Sequence, residues 1–393
     1  MKNAYSRILF LTIPLLFIII SSICHAGEKP ILIGASVSLE GKYIETSFMV
    51  QNGYKLWAEQ VNKQGGLLGR PVKLILYNDK SRKKLAASLY EKLIVEDRVD
   101  LTLSPYGTPL TMVASEATEK HGYVMLASAA ASEQIWERGY KYIFGVYALA
   151  DRYFIGFQDL LARQGYESIG ILFENTAFNI SIAKGVRKWA DRFNLKLVYD
   201  NGFDDADNEL PIILKQVMGK NIDGLIFSGY SPQCYQFIDL MKKADYRPKS
   251  LSFTIAPIHP DFYKKAGPFA EGIFAPSQWE PDERIPFPGT KQFIKDFKEF
   301  TGKMPSYHAA SAYSACQILE KAIIQAQAID HEKIRNYVSS FDTITIMGRF
   351  KVDHTGRQVG HNPILIQWQN GKKEIVYPGK MSTSQPQFNS SGE

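Results

Sequence analysis

The sequence predicts an α/β fold of two lobes, each built on a parallel sheet and joined to the other by hinge crossovers. Short apolar, β-branched segments alternate with segments whose apolar residues are spaced as in a helix. The strand candidates are continuous apolar runs, as expected for strands buried on both faces. Without a predicted leader of 26 residues, the remaining 367 suit two domains of ordinary size.

The stretch from Val61 to Asp79 shows one complete repeat of this pattern. An amphipathic helix ends at Gly65-Gly66, because glycine adopts a left-handed helix cap without a Cβ clash. A buried strand, Val72–Tyr77, then ends on the polar pair Asn78-Asp79. The order of helix stop, strand and polar tip recurs down the chain. It is typical of an open α/β sheet whose strand tips form a crevice.

Ten strands are predicted before the last long helices. They are Ile31–Val37, Val72–Tyr77, Leu101–Ser104, Tyr123–Ala127, Ile143–Val146, Ile169–Phe173, Leu195–Tyr199, Leu225–Ser228, Leu251–Ile255 and Ile273–Ala275.

The chain is expected to cross between the lobes more than once. The first crossing falls near Ala148–Asp151, before a helix over Tyr153–Gln164, and a second falls near Pro276–Trp279. Helices then resume over Thr290–Thr301 and Tyr307–Ile329, and the segments Ile346–Val352 and Ile364–Trp368 are predicted as antiparallel strands. We therefore assign residues 27–149 and 278–344 to lobe 1, residues 150–277 and 345–378 to lobe 2, and residues 379–393 to a disordered tail.

Residues 1–26 have the pattern of a cleaved secretory signal. Lys2 and Arg7 precede an apolar run from Ile8 to Ile20, and small residues follow before Gly27. That run of 13 residues is shorter than the roughly 20 that a membrane span needs. A lipoprotein anchored through Cys24 is disfavoured because Ile23 stands where a small residue is expected. We expect a periplasmic protein.

Charge and motifs argue against nucleic-acid binding and against catalysis. Removing the leader lowers the formal charge from +6 to +4, and the basic clusters are short and scattered. The chain lacks a Walker-type loop, a GxGxxG after the first strand, HExxH, GxSxG and CxxC, and its histidines are dispersed. We expect no enzyme, no cofactor and no metal. Whether Cys234 and Cys316 pair stays open.

Two loops at strand tips are candidates for a ligand site. Residues 104–108, with Tyr106, Gly107 and Thr108, follow the third strand and lead into a helix, and residues 128–132 follow the fourth strand. Free backbone N–H groups at a helix start, together with the helix dipole, suit a carboxylate. The alternative is that Thr108 and Ser132 only cap their helices.

From Ile31 to Tyr377 the chain resembles periplasmic binding proteins of the leucine/isoleucine/valine type, the solute receptors of ABC importers. The resemblance is most specific over residues 61–79 and 104–132. It implies the type I fold of two Rossmann-like lobes. It also implies ligand contacts from three places. These are Thr108 with Gly107 in the first loop, Ser128, Ala130 and Ser132 in the second loop, and Phe178 and Tyr230 in the second lobe.

The sequence departs from the family at one position. Amino acid binders place an acidic residue at the tip of the strand ending near Ile255, where this chain has Ile255 or Ala256. Without that carboxylate the α-ammonium group of an amino acid loses its counter-charge, and a buried unpaired cation is costly. The aromatic residues Tyr43, Tyr106, Phe178, Tyr230 and Trp279 could instead line an amphipathic pocket, or be ordinary packing residues.

The resemblance implies that the lobes close over a small carboxylate, an amino acid or a related compound, aromatic acids included. An ABC permease in the inner membrane would then receive it from a monomeric receptor. Two alternatives stay open: a sensor of the same fold, for an amide or an amino acid, that signals to a receptor; and a small-molecule α/β enzyme.

Overall fold

The structure, a computed structural model, describes residues 29–282 and 284–388. The predicted signal peptide lies outside these residues. In the part of the chain that is described, no helix is both long and apolar enough to cross a membrane.

The first lobe contains two small parallel sheets flanked by helices. Its strands pair in the order β2-β1-β3 and, separately, β4-β5. β1 pairs with β2 along its whole length, from Ile31 opposite Val72 to Val37 opposite Asn78. The strands are β1 (Ile31–Val37), β2 (Val72–Asn78), β3 (Leu101–Thr102), β4 (Met125–Ala127) and β5 (Ile143–Gly145). The helices are α1 (Ile44–Lys63), α2 (Lys83–Val95), α3 (Thr108–His121) and α4 (Gln134–Glu137).

The second lobe is built on a seven-stranded sheet in the order β14-β13-β10-β9-β8-β6-β7. β13 pairs antiparallel with both of its neighbours, β10 and β14. The strands are β6 (Ser168–Glu174), β7 (Lys196–Phe203), β8 (Gly224–Ser228), β9 (Ser250–Phe253), β10 (Phe274–Ser277), β13 (Ile364–Gln369) and β14 (Lys372–Tyr377). The helices are α5 (Ile155–Arg163), α6 (Ala177–Arg192), α7 (Ala206–Met218), α8 (Ser231–Lys243) and α9 (Phe262–Ala266).

Between β10 and β13 the chain returns to the first lobe. It forms α10 (Thr290–Thr301), α11 (Tyr307–Ala326), α12 (His331–Ser340) and a hairpin of β11 (Asp342–Thr345) and β12 (Gly348–Lys351). α11 packs along α1 so closely that a Cβ added at Gly53 would lie 2.5 Å from the Ala309 carbonyl oxygen. The long helices that were expected to return to the first lobe do so.

The predicted α/β fold is confirmed, and each of the ten early strands is present. The glycine stop is confirmed as well: α1 ends at Lys63, and Gly66 has a φ of 81°. β11 and β14 were missed. β14 is an edge strand that begins Lys372-Lys373-Glu374, and charged residues are typical of protected sheet edges although they weaken the apolar signal of a strand.

Three segments connect elements of the first lobe to elements of the second: residues 146–154 between β5 and α5, residues 278–289 between β10 and α10, and a third segment between β12 and β13. The loop of the β11-β12 hairpin and the turn after β12 both pack on the first lobe, since Thr290 Oγ1 donates to Ile346 O (2.8 Å) and Gly145 N donates to Gly356 O (2.8 Å). These contacts favour a third crossing at residues 359–363 over the predicted boundary at 345.

The end of the chain differs from the expected disordered tail as far as it is described. Residues 382–388 lie against the second sheet, where Gln367 Nε2 donates to Gln387 O (2.6 Å) and the Phe388 ring contacts Phe274 at 5.6 Å. Apolar and amide contacts hold a segment whose composition alone suggests disorder. Cys234 and Cys316 are both buried, and they do not pair with each other.

Candidate functional site

A cleft between the two lobes lies beyond the carboxyl ends of the strands. The open space left within it is about 10 Å³, close to the room that one water molecule needs, so its side chains nearly touch across it. Its walls come from both lobes and from the first crossing. The lining residues are Tyr106, Gly107, Thr108, Ala129, Ala131, Tyr147, Tyr153, Phe178, Tyr230, Ile255, Tyr307 and His308.

Thr108 joins the two predicted loops at the first lobe's side of the cleft. It is the first residue of α3, and its hydroxyl oxygen accepts hydrogen bonds from the amides of Ala131 (3.2 Å) and Ser132 (3.3 Å). Gly107 N also donates to Ala129 O at 3.0 Å. Two amides of the second loop are therefore bonded within the protein and are not free to bind a ligand. Pro109 has no N–H, so the amides of Thr108 and Leu110 are the donors of that helix N-terminus.

Tyrosines fill the centre of the cleft. The ring of Tyr43 lies 5.5 Å from Tyr106 and 4.8 Å from Tyr230, both edge to face. Phe178 lies 6.2 Å from Tyr230, and the amine of Lys42 lies 4.8 Å from the Tyr230 ring centre. Edge-to-face contacts of this kind favour a specific arrangement of rings, so the cleft has a defined aromatic wall.

Six lining residues were not among the predicted site residues: Ala129 and Ala131 of the second loop, and four that lie outside the two loops. Tyr147 and Tyr153 lie on the first crossing, and Tyr307 and His308 begin α11. The rings of Tyr147 and Tyr307 are 5.3 Å apart. The start of α11 was predicted correctly. No local pattern, however, shows that a helix so far along the chain begins at the cleft.

The cleft offers hydrogen-bond donors without a full charge. The hydroxyls of Tyr147 and Tyr230 are buried and have no partner of standard geometry among the described residues. Burial raises the pKa of Tyr147 and of Tyr230 well above the usual value, so both keep their protons. Burial and the nearby His259 hold the pKa of His308 well below its usual value, so that ring is neutral. None of the described lining residues is acidic.

The predicted site residues divide into two groups. Tyr106, Gly107, Thr108, Phe178, Tyr230 and Ile255 line the cleft, and Tyr43 contacts two of them. The remaining four lie elsewhere: Ser128, Ala130, Ser132 and Trp279.

Each of these four has a different environment. The Ser128 hydroxyl lies 2.5 Å from the Tyr54 hydroxyl, and neither residue lines the cleft. Ala130 is buried in a core cluster, whereas its neighbours Ala129 and Ala131 line the cleft. The indole of Trp279 packs on Phe293 at 5.9 Å.

Ser132 forms one of several polar contacts that join the lobes. Its hydroxyl lies 2.7 Å from that of Ser181 on α6. Lys42 Nζ lies 2.8 Å from Glu174 Oε1, and Thr46 Oγ1 lies 3.0 Å from His259 Nε2. These pairs each take one residue from either lobe. The structure is therefore the closed form of a two-lobed molecule.

Comparison with known proteins settles the family. A family model described as periplasmic binding protein matches residues 30–373. The chain belongs to the periplasmic binding protein family. It is 24% identical over 328 residues to the leucine-, isoleucine-, valine-, threonine- and alanine-binding protein of Pseudomonas aeruginosa, covering 81% of this chain and 85% of that one. It is 21% identical over 341 residues to the Leu/Ile/Val-binding protein of Escherichia coli K12, covering 86% and 90%.

Solved structures agree on the fold of this periplasmic binding protein. A branched-chain amino acid transporter substrate-binding protein from Streptococcus pneumoniae, in complex with isoleucine, superposes with a TM-score of 0.80 at 20% identity, covering 89% of this chain and 100% of the other. A solute-binding protein of an ABC transporter from Rhodopseudomonas palustris, in complex with benzoate, gives 0.78 at 17% identity, covering 88% and 95%. The expected type I fold and the leucine/isoleucine/valine-type family are confirmed. These relatives are named as binding proteins and not as enzymes.

Proposed function

We propose that this periplasmic binding protein captures a small carboxylate between its lobes, in the periplasm, and delivers it to an ABC importer. The observation that carries the proposal is the convergence of neutral donors in the cleft. Tyr147 and Tyr230, whose buried hydroxyls have no partner of standard geometry among the described residues, line a site where α3 and α11 both begin. Helix N-termini favour negative charge, and an unpaired buried donor favours any ligand that supplies an acceptor.

The cleft suits an aromatic acid better than an amino acid. Ile255 lines the cleft, and the resemblance assigns Ile255 or Ala256 to the position where amino acid binders place a carboxylate; none of the described lining residues is acidic. An α-ammonium group would be buried there without a counter-charge, at a cost of several kcal/mol. Tyr106, Phe178 and Tyr230 supply faces and edges for a ring. The R. palustris neighbours, bound to benzoate and to 3,4-dihydroxybenzoic acid, are consistent with this chemistry.

Binding requires that the lobes open and close. The closed cleft leaves about 10 Å³, so a ligand enters the open form and displaces side chains as the lobes close around it. A ligand favours the closed form by as much as its affinity for that form exceeds its affinity for the open one. The first lobe would hold the carboxylate while Phe178 and Tyr230 of the second lobe cover the rest.

A thermal-shift screen tests the proposal, since a ligand that binds only the folded protein raises the melting temperature. The screen compares benzoate, its uncharged analogue benzamide, benzylamine, phenylalanine and leucine. We expect benzoate-like acids to stabilise the protein most. Stabilisation by benzamide or benzylamine alone would refute the carboxylate site.

Two variants locate the site. Tyr147→Phe and Tyr230→Phe remove the unpartnered hydroxyls and should each weaken benzoate binding about 10-fold, the equivalent of one hydrogen bond to a charged group. Tyr199→Phe is the matched control, because its hydroxyl donates to Gln216 Oε1 (2.8 Å), a partner on α7. Equal effects of the three changes would place the ligand elsewhere.

Delivery to an importer is tested in cells. A strain that lacks this gene should lose high-affinity uptake of the radiolabelled ligand, and the gene restored in trans should recover it. Intact uptake in the deletion strain would favour the sensing role. Mass spectrometry of the periplasmic protein should find a mature start at Gly27.

A further inference from the structure

A second pocket lies behind the hinge, separate from the cleft. It has a volume of about 270 Å³ and shares no lining residue with the cleft. Its walls come from the second and third crossings, from the β11-β12 hairpin and from the segment after β14. We call it the hinge pocket. Ile285, Phe287, Ile364 and Met381 give it an apolar body of the size that a small molecule fills.

Trp279, in the wall of the hinge pocket, has an indole N–H group without a partner. The side chain is 1% exposed, and no described residue accepts a hydrogen bond from its Nε1. The other four tryptophans of the chain all donate from Nε1, to Glu320 Oε2, Ile143 O, Asp151 O and Pro257 O. Buried polar groups nearly always have a partner, so this N–H is a candidate donor for an acceptor that the described residues do not supply.

Charge in the hinge pocket favours an anion. Arg349 and Lys380 contribute to its lining, and none of the described lining residues is acidic. Arg349 is already paired with Asp342 at 2.6 Å. Lys380 is exposed and forms no ion pair with a described residue. A negatively charged ligand would pair with this amine.

Gln278 connects the hinge pocket to all three crossings. Its Oε1 accepts a hydrogen bond from Ala148 N (3.1 Å) on the first crossing, and its carbonyl oxygen accepts one from His361 Nε2 (2.8 Å) on the third. Its side chain also lies near the hydroxyl of Tyr153, which lines the cleft. A molecule that packs against Gln278 and Trp279 therefore contacts the segments that must change shape when the lobes open.

We propose that the hinge pocket binds a small monocarboxylate with an apolar body, which accepts a hydrogen bond from the Trp279 indole, and that its occupancy changes the affinity of the cleft. The coupling follows from linkage, because a ligand that binds one hinge geometry more tightly shifts the equilibrium between open and closed lobes. The site is independent of what the cleft binds.

Indole N–H signals in ¹H–¹⁵N NMR spectra test the proposal. The five tryptophans give five such signals, and Trp279→Phe identifies one of them by its loss while the other four report that the fold is intact. Cyclohexanecarboxylate is the probe, and cyclohexanecarboxamide is its uncharged analogue. We expect the acid to shift the Trp279 signal downfield in a saturable manner and the amide to bind at least 10-fold more weakly. Equal binding of the two would overturn the charge argument.

Variants separate the hinge pocket from the cleft. Lys380→Gln should weaken binding of cyclohexanecarboxylate several-fold, and Lys372→Gln, a matched change of an exposed lysine on β14, should not. Tyr230→Phe should leave the titration of the Trp279 signal unchanged. If Tyr230→Phe abolishes that titration, the signal reports closure of the cleft and the proposal fails. An unshifted Trp279 signal at saturating probe also overturns it.

The coupling is measured in the same samples. With the hinge pocket saturated by cyclohexanecarboxylate, the affinity of the cleft for benzoate should change about fivefold or more, in the range typical of coupled sites. The change should vanish in Trp279→Phe. A benzoate affinity that is the same with and without the probe would refute the coupling.

Discussion

The ion pair between Lys42 and Glu174 joins the lobes, and its removal gives a sharp test of lobe closure. Lys42 lies in the loop before α1, and Glu174 is the last residue of β6. Their charged atoms are 2.8 Å apart, with side chains 32% and 11% exposed. Fully exposed pairs contribute about 0–1 kcal/mol, whereas breaking a buried pair costs about 3–5 kcal/mol. A half-buried pair should therefore contribute about 1–2 kcal/mol to the closed form.

Because this pair can form only when the lobes are closed, its loss should lower ligand affinity and leave folding stability nearly intact. A loss of 1–2 kcal/mol corresponds to roughly 5–30-fold in the dissociation constant. Isothermal titration of Lys42→Met with benzoate, at low and at high salt, measures it. Lys63→Met, which removes an exposed pair with Glu59 within α1, is the control. The reasoning is refuted if Lys42→Met and Lys63→Met bind benzoate equally well.

Three further predictions concern the fold around the cleft. Thr108→Val should destabilise the protein by about 1–3 kcal/mol in urea unfolding, because two buried loop amides lose their acceptor; a change below about 0.5 kcal/mol would contradict that role. Gly53→Ala should cost about 1–3 kcal/mol by forcing a methyl group against the Ala309 carbonyl, whereas Gly219→Ala, with no heavy atom nearer than 3.6 Å, should be neutral within about 0.5 kcal/mol in the same assay. Burial lowers the pKa of His259 to about 4 from 6.5, so stability should be constant above about pH 6.5 and fall towards pH 4, by at most roughly 1.4 kcal/mol per pH unit for this group. His259→Gln should flatten the fall seen by urea unfolding, and an unchanged slope would show that this ring is protonated in the folded protein.

The fold could be predicted because its information is local. Parallel strands buried on both faces are continuous apolar runs, and glycines at positive φ mark where helices stop, as Gly66 does. The edge strand β14 escaped prediction because its first three residues are charged. The end of the chain was predicted as disordered because amino-acid composition does not show that the Phe388 ring packs against Phe274.

The cleft could be predicted only in part. Thr108 was found because a hydroxyl at a helix start after a strand is a local pattern. Tyr147 and Tyr307 were missed because their rings meet only through tertiary structure, 5.3 Å apart, although one lies on the first crossing and the other begins α11, far away in sequence. In the second loop the facing residues are Ala129 and Ala131, and residue type alone favoured Ser128, whose hydroxyl instead bonds Tyr54. In an irregular loop, the spacing of residues in the sequence does not determine which side chains point towards the ligand site.

A crystal structure of the mature protein with benzoate tests the central claim most directly. We predict closed lobes, the ring against Phe178 and Tyr230, and the carboxylate within hydrogen-bond distance of the Tyr147 hydroxyl and the first amides of α3. A benzoate bound outside the cleft, or one whose carboxylate points away from both helix N-termini, would contradict the account.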